Sequence, residues 1–300
     1  MYYNSLERML IGVYLALTFI NFIAYYKRAK KTENSNEKAI VYGISFIFLG
    51  VCLGTFFLFL AQLYDYSIFT GYFSGDAFYM DFSEAQEIGP SNFPLIQDIY
   101  VWGFLLSEII ALIVFLFILE RIAKKTKYAL TVIFSVITII GMVLPYELSV
   151  GFLVGFAMAP LMLFLIISVY LFPKWTSEEF KPFCLVLLSG LMLNTIGDYL
   201  VGHPVKRLGI VPIELGPIFY ILAMIVLLFV PFTESEILVK NSKYVKLLTI
   251  GCLTIFILIS IFLLLQIRDM TLYVQIPVSI GLNLIIAYSL LRTKPDHPND

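Results

Sequence analysis

Long apolar stretches interrupted by short charged intervals set the rhythm of this chain. Nine of them stand out, at about 7–27, 39–63, 98–120, 128–145, 149–172, 180–203, 215–232, 246–267 and 272–291. A bilayer core about 30 Å thick is crossed by roughly 20 mostly apolar residues in helical form. Hydrocarbon offers backbone amides no partner, so every run is expected to be a helix. The pattern predicts an all-α, polytopic membrane helix bundle with about nine transmembrane helices.

Basic residues orient it, because Lys and Arg near helix ends stay on the cytoplasmic side. Alternate connections carry Lys27, Arg28, Lys30, Lys31 and Lys38; Arg121, Lys124, Lys125 and Lys127; Lys174 and Lys181; Lys240, Lys243 and Lys246; and Arg292 and Lys294. The other side keeps only Arg8, Lys206, Arg207 and Arg268. This alternation predicts the N-terminus outside and the C-terminus inside, and a missed span would have inverted every later loop. The first run lacks the basic start and small-residue cleavage site of a signal peptide and is expected to stay in the mature protein. A multi-pass protein of the cell membrane is the expected localisation.

Composition agrees: 60% of the 300 residues are hydrophobic and 14% charged, against roughly 45–50% and about 25% in ordinary globular domains. The net charge of −1 and the scattering of the basic residues leave no electrostatic footprint for nucleic acid. Cys52, Cys184 and Cys252 all fall within apolar runs without a CxxC pair, so they read as small hydrophobes. His203 and His297 belong to no ligand pattern, and no metal or cofactor is expected. The lipid bilayer is the one partner the composition demands.

The segment Tyr64 to Gln97 forms a long outer connection without a basic residue, holding Asp65, Asp76, Asp81, Glu84 and Glu87 among many aromatics. Asp76 and Glu87 have the end spacing of a calcium loop, but Phe78, Met80 and Asp81 occupy positions where ligands and a glycine belong. It reads as an acidic cap.

Charged groups within a span ask for a partner or a purpose, since each costs at least about 3 kcal/mol at the helix centre. Glu108 and Asp198 qualify. Counted at 1.5 Å per residue, Glu108 lies about 15 Å, Asn194 about 13 Å and Asp198 about 7 Å from the outer helix ends. Gly190, Asn194 and Asp198 share one face of the sixth run, and Gly103, Ser107 and Ala111 make a small-residue groove beside Glu108. The third and sixth helices are therefore expected to face each other. The loop Gly202 to Glu214, with His203, Lys206, Arg207 and Glu214, sits above that face. With Gln275 and Ser279 of the ninth run, these groups are the candidate ligand or ion pocket. The bland alternative is that Asn194 and Asp198 merely hold helices together.

Small residues at four-residue spacing mark expected close helix packing: Gly50 and Gly54, Gly103, Ser107 and Ala111, and Gly151, Gly155 and Ala159. Pro160 and Pro277 are expected to kink their helices. Thr176 with Glu179 reads as a capping box before the sixth run, and Asp98 as a cap of the third. The eighth run, nearly pure Leu, Ile and Phe between Leu253 and Leu265, is expected to face lipid.

Residues 151–232 combine a Gly-rich helix, a Phe-Pro-Lys-Trp turn, "LLSGLMLNTIGDYL" and "LGIVPIELGPIFYILAMIVLL". This stretch resembles the last three helices of the N-terminal seven-transmembrane sensor region of prokaryotic histidine kinases. Asn194 and Asp198, then Pro212, Glu214 and Pro217, occupy the matching positions. The resemblance implies a seven-helix sensing region over 1–232. Residues 233–300 would then add a two-helix hairpin and a short cytoplasmic tail where that family continues into signalling domains.

The expected function is a receptor-like or accessory module that binds a small ligand from the outer side and reports through a membrane or cytoplasmic protein partner. The alternative is a secondary transporter or ion-coupled permease using Glu108, Asn194 and Asp198. An enzyme ranks last, for want of a catalytic motif on any helix end.

Overall fold

The computed structural model describes residues 5–68, 99–201, 212, 214–232, 235–266 and 270–292. Among them the only regular structure is helical. The helices are α1 Ser5–Lys31, α2 Ser35–Ile68, α3 Leu106–Ala123, α4 Ala129–Val143, α5 Tyr146–Phe152, α6 Ala159–Leu171, α7 Lys181–Val201, α8 Leu215–Phe232, α9 Ser235–Lys240, α10 Ser242–Gln266 and α11 Met270–Arg292. Among the described residues seven helical rods are long and apolar enough to cross a membrane, and Ala129–Val143 and Ile276–Leu291 are shorter apolar helices. Val143, Phe232 and Leu265 are 79%, 72% and 78% exposed. Bulky apolar side chains standing outward in such numbers are compatible with a multi-pass membrane protein, whose exterior meets lipid rather than water.

Neighbours follow one another around a ring. α3 packs on α2, α2 on α1, α1 on α8 and α8 on α7, while α6 touches both α7 and α3. α4 lies outside this ring against α3, and α10 and α11 pair with each other and lean on α7. α7 is the most enclosed rod, with Cys184, Leu188, Met192 and Ile196 fully buried.

Glycines set how near α2 and α3 come. A Cβ on Gly50 would meet the Ala111 Cβ and, at 2.7 Å, the Ser107 carbonyl oxygen, while Gly54 faces Glu108 and the Phe104 carbonyl. Gly43 receives Phe115, and Gly103 receives Phe57. The groove along Gly103, Ser107 and Ala111 is thus occupied by α2, not by the sixth run as expected. Gly151 and Gly155 differ, since a side chain there would meet nothing within 4 Å.

Proline decides the seam between α1 and α8. Pro231 has no amide to donate to the Leu227 carbonyl one turn back. The Tyr25 hydroxyl donates to that carbonyl at 3.0 Å. On either side, the Asn21 amide donates to the Met224 carbonyl at 3.0 Å and the Arg28 guanidinium donates to the Val230 carbonyl. Donors and acceptors climb together along both chains, so the two helices run parallel. Arg28 also lies 5.7 Å from the Phe183 ring centroid, a cation–π distance.

One capping expectation resolves differently. Pro160 stands in the first turn of α6, after the π-helical turn Leu153–Met158 that links α5 to α6. Thr176 does not cap the sixth run, because its hydroxyl donates to the Phe172 carbonyl at 2.8 Å and Glu178–Phe180 forms a short 3-10 turn instead. Asp98 lies outside the described residues. An unforeseen cap is Glu120, whose carboxylate accepts from the Leu130 amide at 3.0 Å, the Thr131 amide at 2.9 Å and the Thr131 hydroxyl. It fills the open amides at the start of α4 across the Lys124–Tyr128 turn. Glu120→Ala is expected to cost about 1–2 kcal/mol, read as a lower midpoint in SDS-titrated unfolding.

The eighth run does not face outward all round. Thr249, Cys252, Phe256, Ser260 and Leu263 form a buried stripe on α10. Ser189 donates to the Thr249 hydroxyl at 3.1 Å, and the Tyr199 ring lies 6.4 Å from that of Phe256. The opposite face, with Leu247, Leu258 and Leu265, is exposed.

Candidate functional site

Four helices bring polar groups together near one end of the ring. α7 supplies Asn194 and Asp198 one turn apart, with the Asn194 amide 3.4 Å from one Asp198 carboxylate oxygen. α8 supplies Tyr220, whose hydroxyl donates to the other oxygen at 2.7 Å. α1 supplies Tyr14, its ring centroid 5.2 Å from that of Tyr220 at an interplanar angle of 33°. α3 supplies Glu108, within electrostatic range of Asp198, Tyr14 and Tyr220.

Glycine gives both carboxylates their room. A Cβ at Gly197 would stand 2.6 Å from the Tyr220 ring, so its absence lets the phenol lie flat along α7 and reach Asp198 a residue away. A Cβ at Gly54 would stand 3.2 Å from the Glu108 Cγ and 3.3 Å from its Oε1. Glu108 lies three residues beyond the π-helical segment Ile99–Leu105, a widened turn that shifts the register of the side chains after it.

Access falls from α7 to α3. Asp198 is exposed and Asn194 half-buried, whereas Glu108 is 8% exposed. Among the described residues the Glu108 carboxyl has no hydrogen-bond partner, while Asp198 accepts two. One carboxylate is held and open, and the other lies against Gly54 of α2.

The third and sixth runs therefore do not pack face to face as expected. α3 packs on α2, and α7 packs on α8 and α10, with the Tyr14 ring against the Tyr220 ring that bonds Asp198. Nothing local in the sequence distinguishes Tyr14 and Tyr220 among the 19 tyrosines. Gly197, one residue before Asp198, was the available signal.

The remaining pocket candidates divide. His203, Lys206 and Arg207 lie outside the described residues, as do the side chain of Gln275 and positions 69–97 of the acidic connection, with Asp76 and Glu87, whose first five positions, expected as loop, instead continue α2 to Ile68. Glu214 is placed just before α8, half-buried. Ser279 accepts the Tyr199 hydroxyl at 2.9 Å, tying α11 to α7 one residue beyond Asp198. Among the described residues, no group of three or more His, Cys, Asp or Glu side chains is arranged to hold a metal ion.

No family model matches the chain, and neither a curated protein nor a solved structure matches it.

Proposed function

We propose that the chain is a nine-span protein of the cell membrane, N-terminus outside and C-terminus in the cytoplasm, that binds a small ligand from the outer side and signals its presence to a partner protein. The observation that carries this reading is the convergence of Tyr14, Glu108, Asn194, Asp198 and Tyr220 from four helices at the end of the bundle remote from the basic turns. Intramembrane acids gathered at a helix junction are a functional signature before they are a packing device.

Contacts between the basic turns support the orientation. Asn36 donates to the Trp175 carbonyl at 2.9 Å, and Glu37 accepts from the Ser177 amide and hydroxyl at 3.0 and 2.7 Å. α9 packs against the Glu178–Phe180 turn and the start of α7. The lysines and arginines of these connections thus share one end, and basic residues at one end favour the cytoplasmic side.

Sensing rather than transport is favoured by the continuity of the rods. Transporters of the inverted-repeat type bind substrate at helices broken mid-membrane, whereas α1, α7 and α8, which meet around Asp198, each run as one α-helix, and π-turns interrupt only the rods of α3 and α6 among the described residues. α7 is also the element shared between the site and the hairpin α10–α11, through Ser189 with Thr249 and Tyr199 with Ser279. A ligand that shifts α7 has a packed route to the hairpin. The resemblance of residues 151–232 to a membrane sensor region points the same way.

Impermeant maleimide labelling of Asn194→Cys and Lys124→Cys in intact cells tests the layout. Label is expected on the first from outside and on the second only after permeabilisation. The reverse pattern would overturn both the orientation and the outward-facing site.

A further inference from the structure

We propose that the turn between α3 and α4, Lys124–Tyr128, is the headgroup site of an anionic phospholipid, whose acyl chain lies along the exposed apolar seam between the two helices. This rests on the membrane-spanning reading above and not on the outer pocket.

The charge there is uncompensated. Arg121, Lys124, Lys125 and Lys127 place four cations within seven positions, all of them exposed. Among the described residues none of the four is in an ion pair. The adjacent acid, Glu120, is committed elsewhere: its two oxygens accept from the Leu130 and Thr131 amides and the Thr131 hydroxyl at the start of α4. Clustered cations just beyond a membrane span attract the anionic headgroups of the leaflet they border.

The backbone keeps these side chains at a cost. Lys124, Lys127 and Tyr128 stand at φ of 55°, 48° and 64°, in the left-handed region where a Cβ is disfavoured and glycine is the usual occupant. Lys124 follows the last turn of α3, with its amide donating to the Glu120 carbonyl, the place that glycine most often fills at a helix end. A turn that had only to reverse the chain would use glycine. Here two ammonium groups and a phenol hold the left-handed positions.

An apolar track begins where the charges stop. The Tyr128 ring stacks on that of Phe117, 5.0 Å between centroids at an interplanar angle of 22°, and both rings are exposed. Ile110, Phe117 and Arg121 share one face of α3 by their spacing, as do Tyr128, Val132 and Val136 on α4, and all six are exposed. The ring stack sets these two faces side by side. From the turn inward the seam therefore offers cations, then an aromatic pair, then hydrocarbon, the order in which a phospholipid presents its headgroup, its glycerol region and its acyl chain. An acidic protein partner has no use for the apolar continuation, and that decides for lipid.

The test uses the purified full chain in detergent micelles, with binding read by native mass spectrometry. The probes are dioleoyl phosphatidylglycerol, dioleoyl phosphatidylcholine, glycerol phosphate and a poly-glutamate peptide. The first phosphatidylglycerol is expected to bind at least about fivefold tighter than phosphatidylcholine. Lys124→Gly combined with Lys127→Gly should weaken it at least about tenfold. The same pair should leave the unliganded melting temperature unchanged or higher, because glycine relieves both left-handed positions. Arg121→Gln, which leaves the turn as it is, should weaken the lipid about three- to fivefold and keeps the test open should the glycine pair fail to fold. Lys243→Gln combined with Lys246→Gln removes as much charge at another basic turn and should change the affinity less than about twofold. Equal affinity for the two lipids, a preference that survives both the glycine pair and Arg121→Gln, or an equal loss in the Lys243 and Lys246 pair would overturn the site. Displacement of the lipid by an equal concentration of glycerol phosphate would reassign the turn to free anions, and tighter binding of the peptide would reassign it to an acidic protein. Reversed maleimide labelling would move the site to the opposite leaflet and leave these affinities as they are, so the two readings fail separately.

Discussion

Gly50→Val is expected to cost about 3 kcal/mol, the upper end of the ordinary range for overpacking. A Cβ at this position falls on the Ala111 Cβ and 2.7 Å from the Ser107 carbonyl oxygen. Neither obstacle is the end of a flexible side chain, so relief requires α2 and α3 to separate along their whole seam. That movement would also draw Gly54 away from Glu108, one turn along α2. SDS-titrated unfolding in mixed micelles gives the measurement. Gly151→Val serves as the control, because a side chain at Gly151 meets open space, and its midpoint should stay within about 0.5 kcal/mol of the parent. A Gly50 variant as stable as the Gly151 variant would mean that the two helices are not in contact there.

Tyr25→Phe is the second large effect, at about 1–3 kcal/mol, the penalty for leaving a buried carbonyl without a donor. The ring contacts survive the change, with Phe48 at 5.0 Å and Phe183 at 6.2 Å between centroids. What disappears is the hydroxyl at the Leu227 carbonyl, the acceptor that Pro231 cannot fill. A second substitution isolates this cause. Pro231→Ala returns an amide to α8, so Tyr25→Phe made in that background should cost less, with a coupling of about 1 kcal/mol in the double-mutant cycle. Additive effects would show that the hydroxyl and the proline act independently.

The Gly50–Gly54 stripe and the Pro231 seam differ in how far they could be read in advance. Four-residue glycine spacing marks a close-packed face, and α2 does use both glycines against α3. Spacing could not say which neighbour would fill the groove at Gly103 and Ser107, and the sixth run was the wrong expectation. The same spacing at Gly151 and Gly155 leads to open space, because periodicity describes one helix and not the surface opposite it. Pro231 was visible as a proline near a helix end, while its compensation by Tyr25 spans 206 positions of chain and leaves no local mark.

Helical class and the nine apolar runs follow from the sequence alone, because hydrocarbon length and amide satisfaction act within each segment and need no partner. The two intramembrane acids were equally plain, since charge in an apolar run stands out wherever the run is placed. Only the tertiary structure decided that Tyr14 and Tyr220 join Glu108 and Asp198, that α2 rather than α7 lies against the small-residue face of α3, and that the hairpin rests on the helix bearing Asp198. Those are choices among rods of similar length and greasiness. Hydrophobicity ranks such pairings almost equally, so they are settled by side-chain shape and by a few hydrogen bonds between residues far apart in the chain.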